Sequence, residues 1–192
     1  MSINCIGLTK AYGDNLVLDG FTHAFPEGRV SCVLGRSGCG KTTLLRLIAG
    51  LETPDAGRVE GLPGEGLSMV FQEDRLPPQL SAADCLRCVM KKTPDREARI
   101  ARALSALGID PGSRQPVREY SGGMRRRAAL ARALVVPAPL VLLDEPFKGL
   151  DADTRAAAVA LARDMLAGRT ALLVTHDEAD VAAFAAEVLR LG

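Results

Sequence analysis

One glycine-rich loop constrains the fold more than any other part of the sequence. The stretch GRSGCGKT at residues 35–42 fits the pattern G-x-x-x-x-G-K-[S/T], and it lies between the apolar segment SCVL and the helix-forming segment KTTLLRLIAG. A loop of this kind turns its backbone N–H groups inward around phosphate oxygens, and the strand before it and the helix after it hold it in place. The sequence therefore predicts an α/β core that binds a nucleoside triphosphate.

The residues of this loop are expected to share the contacts to ATP. The Lys41 side chain reaches the β- and γ-phosphates in such loops, and the Thr42 hydroxyl binds Mg²⁺. The predicted loop contacts are Gly35, Arg36, Ser37, Gly38, Cys39, Gly40, Lys41, Thr42 and Thr43. Because Cys39 lies inside the loop, we predict that modification of its thiol blocks ATP binding. The alternative is that Cys39 is only a small residue that fits the loop.

Two acidic residues follow a second apolar segment, LVLLDEP, which predicts a strand buried on both faces. Such a strand delivers Asp144 and Glu145 to the carboxyl edge of the sheet, where open α/β sheets bind ligands. We expect Asp144 to hold the Mg²⁺ shell and Glu145 to polarise the attacking water. In isolation the pair would be read as a cap for the next element, but the phosphate loop favours the catalytic interpretation.

Composition narrows the possible partners. The 192 residues suffice for one core with small attached lobes, and the net charge of +1 gives no reason to expect nucleic acid as a partner. Aromatic residues make up only 4%, which disfavours an RNA-stacking surface. No apolar run approaches the ~20 residues that span a bilayer, and the start MSINCIGLTK lacks the features of a signal peptide. We therefore expect a cytoplasmic protein.

The order of the elements predicts an α/β fold with three regions. Residues 1–34 alternate in the manner of a mainly antiparallel β region, and residues 35–72 and 121–192 read as a P-loop core with a mainly parallel sheet flanked by helices. Residues 73–120 read as an inserted α-helical subdomain, in which the segment TPDREARIARAL predicts a helix capped by Thr93. Together they form a single domain over residues 1–192.

Several short motifs follow one another in a fixed order. They are KAYGD with Tyr12, VFQE with Gln72, YSGGM at residues 120–124, GLD at residues 149–151 and VTHD with His176. With the phosphate loop and LVLLDEP, they resemble the nucleotide-binding subunits of ATP-binding cassette (ABC) transporters along essentially the whole chain.

The resemblance implies a role for each motif. Two subunits of this family pair head to tail, so that the signature residues Ser121, Gly122 and Gly123 hold the γ-phosphate bound by the partner subunit. Gln72 would be a ligand of Mg²⁺ and water, and His176 would contact the γ-phosphate and the attacking water. Tyr12 stands where the family stacks an aromatic ring on adenine.

Within this family, the segments LSMVFQEDRLPPQL and LLDEPFKGLDADTR resemble importer ATPases of the nitrate, sulfonate and taurine group. The resemblance implies a homodimer on the inner face of the membrane, a separate permease docked between residues 73–79 and the following helix, and a solute-binding protein. Two alternatives stay open at this point. A soluble ABC ATPase acting on DNA or the ribosome is one, and a P-loop kinase, which leaves YSGGM, Gln72 and His176 unexplained, is the other.

Two of the five cysteines, Cys85 and Cys88, form a C-x-x-C pair within the segment SAADCLRCVMKK. This segment predicts a helix, on which residues three apart share one face. We therefore favour buried packing for both side chains over a metal or redox site, since no second pair or histidine lies nearby in the sequence.

Overall fold

The structure, a computed structural model, describes residues 2–64, 66–184 and 187–191. The chain divides into two compact units. The first unit consists of Met1–Leu67, Ala138–Glu145 and Gly168–Gly192, and the second of Ser68–Pro137 and Pro146–Ala167.

An antiparallel sheet of three strands opens the first unit, with the order β2-β1-β4. Its strands are β1 (Ile3–Tyr12), β2 (Asn15–Phe25) and β4 (Ala56–Glu60). Gly13, at a φ of 59°, forms the tight turn between β1 and β2 that pairs Tyr12 with Asn15. The antiparallel sheet thus takes its third strand from the range 35–72, which we expected to belong to the core, because β4 returns to pair with β1.

A parallel sheet also belongs to the first unit, where four of its strands lie in the order β6-β7-β3-β8. They are β3 (Val30–Gly35), β6 (Leu140–Asp144), β7 (Thr170–Thr175) and β8 (Glu187–Leu191). Every residue of β6 and β7 is buried, as their continuous apolar sequences predict. Because the strands are parallel, the residues that follow β3, β6 and β7 meet at one edge of the sheet.

One helix follows the phosphate loop directly and packs on this sheet. Helix α1 (Lys41–Ile48) contacts β3, β6 and β7 through buried residues that include Leu44, Leu45 and Ile48. It stops before Gly50, whose φ of 67° is the left-handed conformation that ends helices. Helix α6 (Glu178–Phe184) precedes β8. The predicted α/β class, with a parallel sheet, a flanking helix and a separate antiparallel sheet, is confirmed.

Helices dominate the second unit, which the chain enters along β5 (Leu67–Val70). They are α2 (Ala82–Arg87), α3 (Arg96–Ala106), a short 3-10 helix (Val117–Glu119), α4 (Gly122–Val135) and α5 (Ala152–Leu166). Helix α3 packs against α2, α4 and α5, so this unit extends beyond the range 73–120 that the sequence suggested for the helical subdomain.

Two local predictions in the second unit are wrong. Helix α3 begins after Asp95 rather than Thr93, because residues 94 and 95 form a turn in which Arg96 N–H donates to the Thr93 carbonyl. Helix α2 ends at Arg87, so Cys85 is buried but Cys88, one residue past the helix, is exposed.

No helix in the described part of the chain is long and apolar enough to cross a membrane. Within those same residues, no cluster of three or more His, Cys, Asp or Glu side chains has the arrangement of a metal site.

Candidate nucleotide site

The phosphate loop connects the end of β3 to the start of α1. Its lysine is nearly buried: Lys41 is 7% exposed, and its amine donates hydrogen bonds to the carbonyls of Gly35 at 2.7 Å and Arg36 at 2.9 Å. The amine is therefore held inside the loop, where a phosphate group would lie. Arg36, Ser37 and Gly38 are exposed at the outer rim of the loop, whereas Thr43 is buried in α1.

Glycine is required at the point where this loop becomes a helix. Gly40 has a φ of 97°, a conformation that side-chain-bearing residues rarely adopt, and a Cβ atom there would lie 2.9 Å from a methyl carbon of Val17. The loop also turns through Gly38 at a φ of 84°. The backbone can therefore hold this curvature only because these positions lack side chains.

A hydroxyl and a carboxylate meet beside the loop, as expected for a Mg²⁺ site. Thr42 Oγ1 donates to Asp144 Oδ2 at 2.8 Å, which joins the first turn of α1 to the end of β6. Asp144 is only 1% exposed. Hard oxygen donors at this position fit Mg²⁺, which binds proteins through one or two side-chain oxygens together with substrate phosphates.

The next residue, Glu145, is held in a strained backbone conformation. Its φ is 49°, in the left-handed region, and its N–H donates to the Val174 carbonyl of β7 at 2.9 Å. Strain of this kind costs ~1–3 kcal/mol and clusters at functional sites. The chain therefore leaves the extended conformation of β6 at this residue.

His176 lies against this glutamate. Its Nδ1 atom is 2.8 Å from Glu145 Oε1 and 2.9 Å from Oε2. The histidine side chain is 60% exposed and the glutamate side chain 14% exposed, so the pair stands at the surface of the sheet edge. A carboxylate that can take up a proton therefore lies next to an imidazole that can share it.

Tyr12 ends β1 and is half exposed, as an adenine platform requires. Its hydroxyl donates to the carboxylate of Glu52, a residue that the sequence analysis did not single out. Partial burial raises the pKa of the Tyr12 phenol, and the hydrogen bond to Glu52 raises it further. No local signal identifies Glu52, because its partner lies forty residues away in the chain.

The signature residues begin α4 in the second unit. Ser121 is the N-cap, and its Oγ accepts a hydrogen bond from Met124 N–H at 3.2 Å. Ser121 and Gly122 are exposed, and Gly123 is half-buried. No described atom would lie within 4 Å of a Cβ built on Gly122 or Gly123. The first turn of α4 is therefore capped by the Ser121 side chain and accessible to solvent.

Gln72 lies just after β5 and is exposed. Its backbone is held from α4 by Arg126, whose Nη1 donates to the carbonyls of Phe71 at 2.7 Å and Gln72 at 3.3 Å, and contacts Asp74 Oδ1 at 3.3 Å. Arg126 is buried, so these hydrogen bonds are sheltered from water. The run of arginines after the signature glycines thus includes one that fixes the Gln72 segment.

In the first unit, the structure brings together the predicted loop residues, Asp144, Glu145 and His176 at the carboxyl edge of the parallel sheet. Gln72 and the three signature residues belong to the second unit. Their predicted roles toward Mg²⁺ and a partner's phosphate stay predictions.

Comparison with known proteins identifies the family. The ABC transporter family matches residues 18–148, which is more than half of the chain. The aliphatic sulfonates import ATP-binding protein SsuB of Rhodopseudomonas palustris is 42% identical over 98% of this chain and 70% of its own length. The Fe(3+) ions import ATP-binding protein FbpC of Mesorhizobium japonicum is 41% identical over 95% of this chain and 55% of its own length.

A solved structure supports the same grouping. The dimeric structure of MJ0796, a bacterial ABC transporter cassette, matches with a TM-score of 0.85 and 26% identity, covering 98% of this chain and 94% of that one. A second structure of MJ0796, in a post-hydrolysis state bound to ADP and Pi, matches equally well. The predicted resemblance to importer ATPases of the sulfonate group is confirmed.

Proposed function

This chain belongs to the ABC transporter family as an ATP-hydrolysing subunit, and we propose that it drives import through a separate membrane permease. The relatives described above carry the words import ATP-binding protein in their names, which favours a transport role over a soluble ATPase acting on DNA or the ribosome. The observation that carries the catalytic part of the proposal is the contact of Glu145 with His176 beside the Thr42–Asp144 pair.

The residues of the first unit suggest a division of labour. Lys41 and the loop N–H groups would bind the phosphates, and Thr42 with Asp144 would hold Mg²⁺, which supplies charge neutralisation between the phosphates. Glu145 would take the proton of the attacking water, with His176 holding its carboxylate in place. Because the Glu145 side chain is only 14% exposed, solvent would screen its interaction with the attacking water only weakly.

The second helix start would serve a second subunit. We infer that Ser121, Gly122 and Gly123 hold the γ-phosphate bound by the partner, as they would in a head-to-tail dimer like that of MJ0796. A helix start contributes ~0.3–1 kcal/mol to a nearby anion, and hydrogen bonds to charged groups add ~1.5–3 kcal/mol each. Two such sites would contribute about 10 kcal/mol of favourable free energy, which is similar to the ~4–15 kcal/mol that association costs. The dimer would therefore form with ATP and separate after hydrolysis.

A cavity in the second unit is the proposed docking place for the permease. It measures about 260 Å³ and is bordered by Asp74, Arg75, Leu76, Pro78, Val117, Arg118 and Arg125. The 3-10 helix and α4 border this cavity together with residues 74–78, whereas the sequence suggested a docking place between residues 73–79 and α2. A permease segment with carboxylates would fit beside these arginines, and would place this subunit on the inner face of the membrane with a solute-binding protein in the same system.

The catalytic assignment is tested by replacing Glu145 with Gln. We expect Glu145→Gln to retain ATP binding and to lose at least about 100-fold in hydrolysis, the usual contribution of a general base. Glu178→Gln is the matched control, because Glu178 is an exposed glutamate that pairs with Arg190 at 3.0 Å and has no assigned contact to the nucleotide. Normal hydrolysis by Glu145→Gln would overturn the assignment.

The transport assignment needs a separate test. The protein, expressed at its natural level, should co-purify with an integral membrane protein from detergent-solubilised membranes. An Arg118→Glu/Arg125→Glu variant should lose that companion while keeping ATP binding, because the docking cavity changes its charge. Purification without any membrane protein would contradict the proposal.

A further inference from the structure

The side chain of Tyr12 is held at its hydroxyl end by two residues of the first unit. The hydroxyl donates to Glu52, and the other carboxylate oxygen of Glu52 accepts from Arg46 Nη1 at 3.1 Å. The backbone adds to this contact, since Glu52 N–H approaches the Arg46 carbonyl at 3.4 Å. Arg46 belongs to α1, the helix that begins with Lys41. The hydrogen bonds therefore connect the Tyr12 ring to the same helix that holds the phosphate loop.

The ring is also held from its face. Lys10 Nζ lies 5.6 Å from the centroid of the Tyr12 ring, within the range of a cation–π contact. The lysine is itself fixed by hydrogen bonds to the Thr53 carbonyl and to Asp55 Oδ1, both at 3.0 Å. Because Tyr12 is still 46% exposed, part of the ring surface stays open to solvent.

We propose that Glu52, braced by Arg46, is a positioning residue that holds the Tyr12 ring in the orientation in which it stacks on the adenine of ATP. This inference rests on the proposed function, in which Tyr12 is the adenine platform. Glu52 itself does not contact the nucleotide. It acts by fixing the hydroxyl end of the ring, which Lys10 contacts from its face.

The physical basis is preorganisation. A side chain that must be ordered when a ligand binds weakens that binding, whereas one already ordered does not. Stacking also depends on the angle and offset of the two rings. Removing the Glu52 carboxylate should therefore weaken ATP binding by about 3- to 10-fold, the effect of ordering one side chain.

The phosphate contacts should not change. Glu52 and Arg46 form a partly exposed ion pair, and such pairs contribute little to folding. A ligand with phosphates but no base would therefore bind the variant as it binds the unaltered protein. This separates positioning of the ring from structural support of α1.

The experiment measures the binding of Mg-ATP and of Mg-tripolyphosphate to the purified chain by calorimetry. We expect Glu52→Ala to weaken ATP binding about 3- to 10-fold and to leave tripolyphosphate binding unchanged. Glu52→Gln should bind ATP nearly as well as the unaltered protein, because its amide oxygen still accepts from the tyrosine hydroxyl. Glu60→Ala is the control, since Glu60 is a partly exposed glutamate that pairs with Arg58 at 2.6 Å.

A double-mutant cycle tests whether the two residues act as one. Tyr12→Phe keeps the ring and removes the hydroxyl, so it should reproduce the loss seen in Glu52→Ala. The double variant should then show no further loss. Fully additive losses would overturn the proposal, as would unchanged ATP binding in Glu52→Ala or equal losses for both ligands.

Tyr12→Ala separates failure of this inference from failure of the proposed adenine platform. If Tyr12→Ala binds ATP as tightly as the unaltered protein, Tyr12 is not the platform and the role of Glu52 is overturned with it. If Tyr12→Ala weakens ATP binding while Glu52→Ala does not, the platform stands and only the inference about Glu52 is overturned.

Discussion

Two helices of this chain begin with glycine-rich segments, and they differ in what satisfies their first turn. Helix α1 begins at a nearly buried lysine, and its N-cap Gly40 offers no side-chain hydrogen bond. Helix α4 is capped by the Ser121 hydroxyl, and its first residues are open to solvent. The first start has no side-chain cap, whereas the second is capped by its own serine.

The glycines at the two helix starts also differ in why a side chain is absent. At Gly40 the chain's own backbone and Val17 exclude a side chain, so the structure of the single subunit explains the residue. At Gly122 and Gly123 the described chain leaves room for a side chain and the backbone needs no special conformation. A helix usually favours alanine over glycine. The two glycines of α4 are therefore better explained by the close approach of another molecule.

The largest effect is expected from Gly40→Ala. A Cβ at a φ of 97° costs ~1–3 kcal/mol in backbone strain, and it also approaches Val17. We expect ATP binding to fall below detection in calorimetry and the thermal midpoint to decrease. Gly38→Ala is the matched control: its φ is 84° but it has open space, so its loss of stability should be smaller. Equal stability losses would show that the contact with Val17 is unimportant.

The next effect is expected from Gly122→Ala, and it should appear in turnover and in dimerisation but not in the stability of the single subunit. Alanine at this position should leave thermal stability unchanged or raise it by ~0.5–1 kcal/mol. ATP binding to the isolated subunit should not change either. Hydrolysis should fall about 10- to 100-fold, because a methyl group would displace a partner's phosphate. Undiminished hydrolysis would contradict the interpretation that the start of α4 lies against a partner's phosphate.

A smaller effect is expected from removing the cap of α4. Ser121→Ala should lower the free energy of unfolding by ~1 kcal/mol, and Ser121→Gly by only a few tenths of that, as at other N-caps. Chemical denaturation measures both. If Ser121→Ala is as stable as the unaltered protein, the hydrogen bond from Met124 N–H to the serine contributes nothing to the second unit.

The smallest effect is expected at Cys39, whose Sγ lies 4.0 Å from Lys41 Nζ. Cys39→Ser should change ATP affinity by no more than about twofold, because serine is similar in size. Alkylation of the thiol in the unaltered protein should block ATP binding, and bound nucleotide should protect it. Cys88, exposed in the second unit, should react with or without nucleotide.

The three buried cysteines should not interfere with this measurement below about pH 10. Burial raises the pKa of Cys5 and of Cys32 to about 12, with the Asp180 carboxylate adding to the shift at Cys32. Burial also raises the pKa of Cys85 to about 11. These thiols stay protonated at neutral pH, and the thiolate is the reactive form. Labelling of Cys85 near pH 8 would contradict this.

The sequence was informative where the fold is determined locally. The continuous apolar run of β6 predicted a strand buried on both faces, because such a pattern is visible within a few residues. Parallel strands then bring the residues after them to one edge. That is why Thr42 and Asp144 could be paired in advance, although they lie far apart in the chain.

The predictions were wrong, or none was made, where tertiary contacts determine the local structure. Cys88 keeps helical backbone angles as the C-cap of α2, but its side chain is exposed, so the expectation that Cys85 and Cys88 are both buried was wrong. The contact between Glu52 and Tyr12 depends on β1 lying beside the end of α1. No pattern along the chain indicates this.

The most direct test of the account is the size of the Glu145→Gln protein in solution with Mg-ATP. Light scattering should give twice the mass of one chain with Mg-ATP and the mass of a single chain with Mg-ADP. Adding Gly122→Ala should abolish the ATP-dependent doubling. A single-chain mass with Mg-ATP, or a doubling that Gly122→Ala leaves intact, would contradict the claim that the start of α4 binds the nucleotide of a second subunit.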